Sequence, residues 1–246
     1  MPIPSLSEVL NSVTDEVFSL RNWSKHRDDA RYETPYPFHD AYGDFDGKRF
    51  TRQHVFDHFA ESLGKGVIST IKWGYPGGTL QGNWFALSTA MRSNAYAETI
   101  SELRKNPLPT AADLVRKLNS LVKGVSTSTT TKIAYFAGLK AQAVDDTAPQ
   151  ECLIYDQMVR RVIRQSTEPE LAQLGEILRS TDRDIWPTRQ ATTYGLYLAS
   201  VHALARRRGV EPSQIELCLF RAGRLLPRLE ASPGHQHRQA DEGNAT

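Results

Sequence analysis

Three observations predict an all-α fold for this chain. Apolar residues recur every three or four positions along most of its length, β-branched runs are few, and proline or glycine marks the breaks between periodic stretches. One helical domain in two lobes is expected over residues 1–231. The end, 232–246, holds no large apolar residue and is expected to be disordered. With 246 residues a sizeable core can form, and 39% hydrophobic against 24% charged residues is the balance of an ordinary globular protein. No apolar run approaches the roughly 20 residues that span a bilayer, so no membrane partner is expected. The first residues lack the basic-then-apolar order of a signal peptide. Cys152 and Cys218 make no disulfide framework, which points to a reduced cytoplasmic setting, and a monomer is expected.

The elements follow in order. Leu6, Val9, Leu10, Val13, Val17 and Leu20 form a first stripe, with Ser5 or Ser7 as its cap. From Trp23 to Asp46, Tyr32, Tyr36, Phe38, Tyr42 and Phe45 interleave with Asp, Pro and Gly, as in a long wrapping or binding loop. Val55, Phe56 and Phe59 make a second stripe after Thr51, ending at Leu63-Gly64. Val67-Ile68-Ser69-Thr70-Ile71 suits either a short strand or a continued helix. A helix over 84–103 is stopped by Pro107 and Pro109. Thr110 caps 111–122, where Leu114, Leu118 and Leu121 share a face and Gly124 marks the stop. Helices over 132–139, 156–165, 168–180, 188–208 and 213–222 complete the set, with Pro212 at an initiating position.

Charge is informative only by segment. The net formal charge is +2, yet residues 1–47 carry nine acids against four bases. Residues 104–140 carry seven bases (Arg104, Lys105, Arg116, Lys117, Lys123, Lys132, Lys140) against Asp113 alone. A local positive field is what a polyanion-binding surface needs, although a solvated helix face gives the same pattern. Within this stretch a helix, a turn at Gly124-Val125, a Ser/Thr-rich linker and a second helix make a helix-hairpin-helix around 110–140. Lys123, Ser126, Thr127, Ser128, Thr129, Thr130 and Thr131 are candidate phosphate ligands there, because hydroxyls, unpaired amides and a helix N-terminus all favour an anion. Such a run also serves as a plain capped linker. Lys132, at the head of the second helix, is a candidate nucleophile. Asp156, opening a helix 24 residues later, is a candidate carboxylate partner or a simple cap. His54 and His58 stand four apart, but no third ligand is evident, so no metal site is expected.

Thr131-Lys132-Ile133-Ala134 followed by Ile154-Tyr155-Asp156 resembles the helix-hairpin-helix DNA glycosylase superfamily, nearest to 8-oxoguanine DNA glycosylase-like proteins. Trp73-Gly74-Tyr75-Pro76-Gly77 and Ile215-Glu216-Leu217-Cys218-Leu219-Phe220 look like features of bacterial members, so the likeness covers most of 55–223. The hairpin, Lys123-Gly124-Val125-Ser126, lacks the family's second glycine, and the four cysteines of the iron–sulfur branch are missing. The resemblance implies a two-lobed helical fold and excision of a modified base from double-stranded DNA without a cofactor. The base would be an oxidised purine or a phage-type hypermodified one, removed in repair or antiviral defence. The resemblance also implies that Lys132, its pKa lowered by partial burial and nearby bases, attacks C1′, that Asp156 stabilises the sugar cation, and that abasic-site lyase activity follows. Trp73, Tyr75 and Gly77 are candidates for the base pocket, and Arg160 for a flanking phosphate. A non-catalytic helix-hairpin-helix DNA-binding protein of a defence system is the alternative. An all-α interaction protein with no nucleic-acid role is a weaker third.

Overall fold

The computed structural model describes residues 18–19, 49–74, 90, 93–105, 109–122, 125–142, 149–180 and 187–226. Among these the protein is all-α, with nine α-helices and two short antiparallel strand pairs. Strand β1 (Phe18–Ser19) pairs with β2 (Arg49–Phe50). Helices α1 (Arg52–Glu61), α2 (Leu63–Gly74), α3 (Ala95–Lys105), α4 (Ala111–Ser120) and α5 (Thr127–Phe136) follow. A hairpin of β3 (Lys140–Gln142) and β4 (Pro149–Glu151) then leads to α6 (Gln157–Ile163). A 3-10 turn at Pro169–Leu171, α7 (Ala172–Ser180), α8 (Pro187–Arg208) and α9 (Pro212–Leu225) complete the chain. None of the helices described is long and apolar enough to cross a membrane.

Local chemistry explains the boundaries. Thr51 caps α1 and Thr110 caps α4, the latter accepting from the Asp113 amide at 3.1 Å. Pro212 starts α9, where the Gln214 side chain accepts the Glu211 amide. The ambiguous run 67–71 is helical: it belongs to α2, whose residues Gly66 to Trp73 are all buried, so a helix enclosed by protein needs no polar face.

Four expectations are corrected. The first stripe cannot stay helical through its end, because Phe18 and Ser19 pair with Phe50 and Arg49 as a strand. The helix over 84–103 is broken at Asn94, whose φ of 58° is the left-handed conformation Asn tolerates, and α3 begins after it. The Ser/Thr run is not a linker. It is the first half of α5, so Lys132 sits inside that helix rather than at its head. That helix ends at Phe136, not at 139. Gly138 takes φ 64° and the Leu139 amide reaches back to the Ala134 carbonyl at 3.0 Å, which closes the helix and releases β3. The β3–β4 hairpin had no strand signal, since only Ala141 and Gln150 of its paired residues are buried. The rest of the first stripe, the loop 23–46, residues 84–89 and the tail 232–246 lie outside the described residues.

The helices assemble so that two sides meet at one place. Helix α1 packs on α2, and both contact α5. Helix α9 packs on α6 and α8, and α8 reaches α4 and α5. Lys132 belongs to the first group through α5, and Asp156, capping α6, belongs to the second. The apolar core is continuous from Val55 on α1 to Phe220 on α9.

Candidate functional site

Lys132 and Asp156 meet, with Nζ 3.5 Å from Oδ2 and each residue only 6% exposed. Burying two polar ends this far from water is costly unless other groups hold them. The lysine ammonium also donates to Ser128 Oγ at 2.9 Å, one helical turn back on α5. Its alkyl chain lies along Gly74, the last residue of α2. A Cβ there would stand 3.1 Å from Lys132 Cδ. Glycine at this position leaves room for the side chain to extend toward Asp156.

Asp156 is held by backbone. Its Oδ1 accepts from the amides of Met158 at 2.9 Å and Val159 at 3.1 Å, the hydrogen bonds of an N-cap. Oδ2 is thereby turned to Lys132. Cap and candidate site are one arrangement, since the amides at the start of α6 that need an acceptor also fix the carboxylate.

The segment before Asp156 is held along its length. Tyr194 Oη donates to the Leu153 carbonyl at 3.0 Å and accepts the Leu153 amide at 3.2 Å. Tyr197 Oη donates to the Ile154 carbonyl at 2.9 Å. The Tyr155 amide donates to Thr131 Oγ1 at 3.1 Å, tying the neighbour of Lys132 to the neighbour of Asp156. The rings of Tyr155 and Tyr197 stack at 4.7 Å. Burial, then the nearby Cys152, raises the Tyr194 hydroxyl well above its ordinary range. Burial, then the charges of Glu216 and Asp156, does the same for Tyr197, so both remain protonated donors.

A second buried ion pair stands close by. Arg52, the first residue of α1, grips Glu216 of α9 with two prongs, at 2.6 and 3.1 Å. The guanidinium lies 5.3 Å from the Trp73 ring centroid and 5.5 Å from that of Tyr135. Burial pushes the Glu216 carboxyl up, against the pull of Arg52, while Asp156 raises it and Lys132 lowers it. Glu216 is therefore within electrostatic reach of both members of the Lys132–Asp156 pair.

The other expected site residues divide clearly. Thr127, Thr129, Thr130 and Thr131 are buried, so their side chains face the interior and not a phosphate surface. Thr130 donates to Asn119 and Thr131 to the Ser128 carbonyl at 3.2 Å, bonds that lock α5 to α4 and to itself. Ser126 is exposed as the cap of α5, its Oγ accepting the Thr129 amide at 3.3 Å. Ser128 is partly buried on the lysine. Trp73 is a core residue at 2% exposure, edge-on to Phe136 at 5.2 Å, and is not placed to stack on a base. Arg160 lies over the Tyr155 ring at 5.7 Å, four residues from Asp156. Lys123, Tyr75 and Gly77 fall outside the described residues.

The basic stretch is also less free than its composition suggests. Arg116 pairs with Asp113, Lys117 with Glu102 from α3, and Arg104 caps the Ala137 carbonyl. His54 is bound into the cap of α1 and His58 touches Ser69 at 2.5 Å. No cluster of metal-ligand type occurs among the described residues.

Arg52, Gly74, Tyr194, Tyr197 and Glu216 are not among the residues expected at the site, and Thr131, expected as a phosphate ligand, instead accepts the Tyr155 amide. For Glu216 a signal existed. A carboxylate inside Ile215-Glu216-Leu217-Cys218-Leu219-Phe220 must be buried and therefore paired.

The chain that brings this lysine and this helix-capping aspartate together has a counterpart among known families. The family model described as "Putative 8-oxoguanine DNA glycosylase OGG-like protein" matches residues 11–220. The chain belongs to that family. No curated protein and no solved structure matches it. Membership in the OGG-like family makes DNA the class of substrate and base excision the class of reaction.

Proposed function

We propose that this OGG-like protein excises a modified base from duplex DNA with Lys132 as nucleophile and Asp156 as its electrostatic partner. The observation that carries the reading is the buried 3.5 Å contact between Lys132 Nζ and an aspartate whose other oxygen is clamped by two amides. Plain surface ion pairs are neither buried nor fixed in this way.

The chemistry runs as an addition and an elimination. The target nucleotide leaves the helix stack at a cost of a few kcal/mol, which brings C1′ within reach of side chains a duplex could not otherwise meet. Lys132 attacks with its lone pair after losing a proton. The Nζ–C1′ bond forms as the C1′–N bond breaks, and the base departs with the electron pair and takes up a proton. Positive charge developing on the sugar faces Asp156 Oδ2, which is already oriented and needs little reorganisation. Opening of the C1′–O4′ bond, with the electron pair staying on O4′ and Nζ giving up the proton that O4′ takes, leaves an iminium between Nζ and C1′. Loss of a C2′ proton to water then expels the 3′ phosphate with the C3′–O electron pair and cuts the strand. Ser126 at the exposed start of α5 and Arg160 beside Asp156 are the residues we assign to flanking phosphates. The base is an oxidised purine or a hypermodified phage base, and the setting is repair or antiviral defence.

Borohydride reduction tests the nucleophile. A duplex with one abasic site supplies the sugar aldehyde without knowledge of the base. Wild-type protein is expected to give a covalent adduct that maps to Lys132 by peptide mass spectrometry, and Lys132→Gln to give none. An adduct at another lysine, or an undiminished adduct in Lys132→Gln, removes the assignment. Base release measured on normal, oxidised and phage-modified DNA then identifies the substrate.

A further inference from the structure

Four ionisable side chains are buried close together, and the reaction described above uses only two of them. Lys132 and Asp156 are 3.5 Å apart, and Arg52 and Glu216 are joined by two hydrogen bonds at 2.6 and 3.1 Å. All four are nearly inaccessible, Glu216 wholly so. A buried ion pair is a weak source of stability, because the loss of hydration offsets most of the attraction. Its position is more informative. Arg52 starts α1, which packs on α2 and α5, the elements that carry Gly74 and Lys132. Glu216 lies on α9, which packs on α6, the helix that Asp156 caps. The guanidinium lies over the rings of Trp73, next to Gly74, and of Tyr135, one turn beyond Lys132. Arg52–Glu216 thus joins the same two groups of helices whose separation decides whether Lys132 meets Asp156. The tie from Tyr155 to Thr131 fixes one edge of that junction, and the Arg52–Glu216 grip fixes another.

We propose that Arg52 and Glu216 are positioning residues that set the approach of Lys132 to Asp156, an inference that rests on Lys132 being the nucleophile. A two-pronged arginine–carboxylate contact constrains orientation as well as distance, which a lysine at position 52 could not reproduce. Displacements of about 1 Å at a reacting atom are enough to lower a rate on the order of a hundredfold.

The test removes the pair together, so that no charge is stranded, in the double variant Arg52→Met/Glu216→Leu. Three quantities are measured: the Tm, the yield of borohydride adduct on an abasic-site duplex, and the Cε–Hε NMR resonance of Lys132 in the free protein. The resonance is assigned by its absence from Lys132→Gln. A structural role alone moves the Tm and leaves the other two. The expected result is a Tm within about 5 °C of wild type, because apolar replacement of a buried pair is often neutral. The adduct yield is expected to fall on the order of tenfold or more, and the Lys132 resonance to move toward that of exposed lysines. An unchanged adduct yield and an unmoved resonance overturn the proposal. If wild-type protein forms no adduct, the nucleophile assignment fails by itself, and the resonance alone decides whether the pair positions Lys132. If the double variant does not fold, Arg52→Lys is measured in the same way. It keeps the charge but not the two-pronged grip, so a moved resonance supports positioning and an unmoved one overturns it.

Discussion

At Asp156 two demands on one carboxylate are met without conflict. The start of α6 needs an acceptor for its amides, and the proposed reaction needs a fixed negative charge facing Lys132. Asparagine caps helices about as well as aspartate, so Asp156→Asn separates the two roles. We expect a Tm within a few degrees of wild type and a borohydride adduct reduced on the order of a hundredfold. Full adduct formation in Asp156→Asn would remove the carboxylate from the chemistry. Gly74 offers a second test from the opposite wall. A methyl group at Gly74→Ala would stand 3.1 Å from Lys132 Cδ, so the lysine chain must give way. Alanine is the better helix former by about 1 kcal/mol, and stability should hold or rise. Adduct formation should fall several-fold nonetheless. If stability and adduct yield are both unchanged, the lysine has room that the geometry denies it.

At the scale of elements, the junction of α6 with α9 carries Asp156 and is unusually close. A Cβ on Gly223 would lie 2.3 Å from the Met158 carbonyl oxygen, and backbone cannot turn aside as a flexible side chain can. Gly223→Ala must therefore push α9 away from α6, at a cost of about 1–3 kcal/mol of stability. Chemical denaturation measures it, and a variant as stable as wild type would show that the helices separate freely. The same close approach lets Arg161 reach the Leu226 carbonyl at 3.1 Å, which fixes the end of α9 against α6. Helix α5 shows the opposite relation between pattern and place. Its threonines are poor helix formers, yet their hydroxyls bond to Asn119, to the Ser128 carbonyl and to the Tyr155 amide. Tertiary bonds outweigh propensity there, and this is why a linker was expected.

Over the whole molecule, both cysteines report on the core. Burial pushes the Cys152 thiol up to about 12, with Tyr194 pulling it back, and raises Cys218 to about 11. Thiolate is the reactive form, and at pH 8 a thiol at 11 is about 0.1% ionised. Alkylation by iodoacetamide at pH 8 should therefore be very slow in the native protein and fast after denaturation. Rapid native labelling of either residue would mean that the core around β4 or α9 opens readily.

What the chain determines by itself is local, or depends only on spacing along it. The helical class, the cap at Thr110 and the start of α9 at Pro212 are all of this kind. Each rests on a few adjacent residues whose backbone needs are met nearby, and so each was legible without coordinates. Tertiary structure alone decided the rest. It turned Thr127, Thr129, Thr130 and Thr131 inward and put Trp73 in the core. It also spent Arg104, Arg116 and Lys117 on nearby partners and brought Arg52 to Glu216 across 164 residues. Burial and long-range ion pairing depend on which helix faces meet, and a face common to a core and a binding surface has the same periodicity in both. Lys132 shows both limits. The resemblance of the residues beside it makes it a candidate nucleophile, whereas its reach to Asp156 is set by Gly74, Ser128 and the junction of two groups of helices.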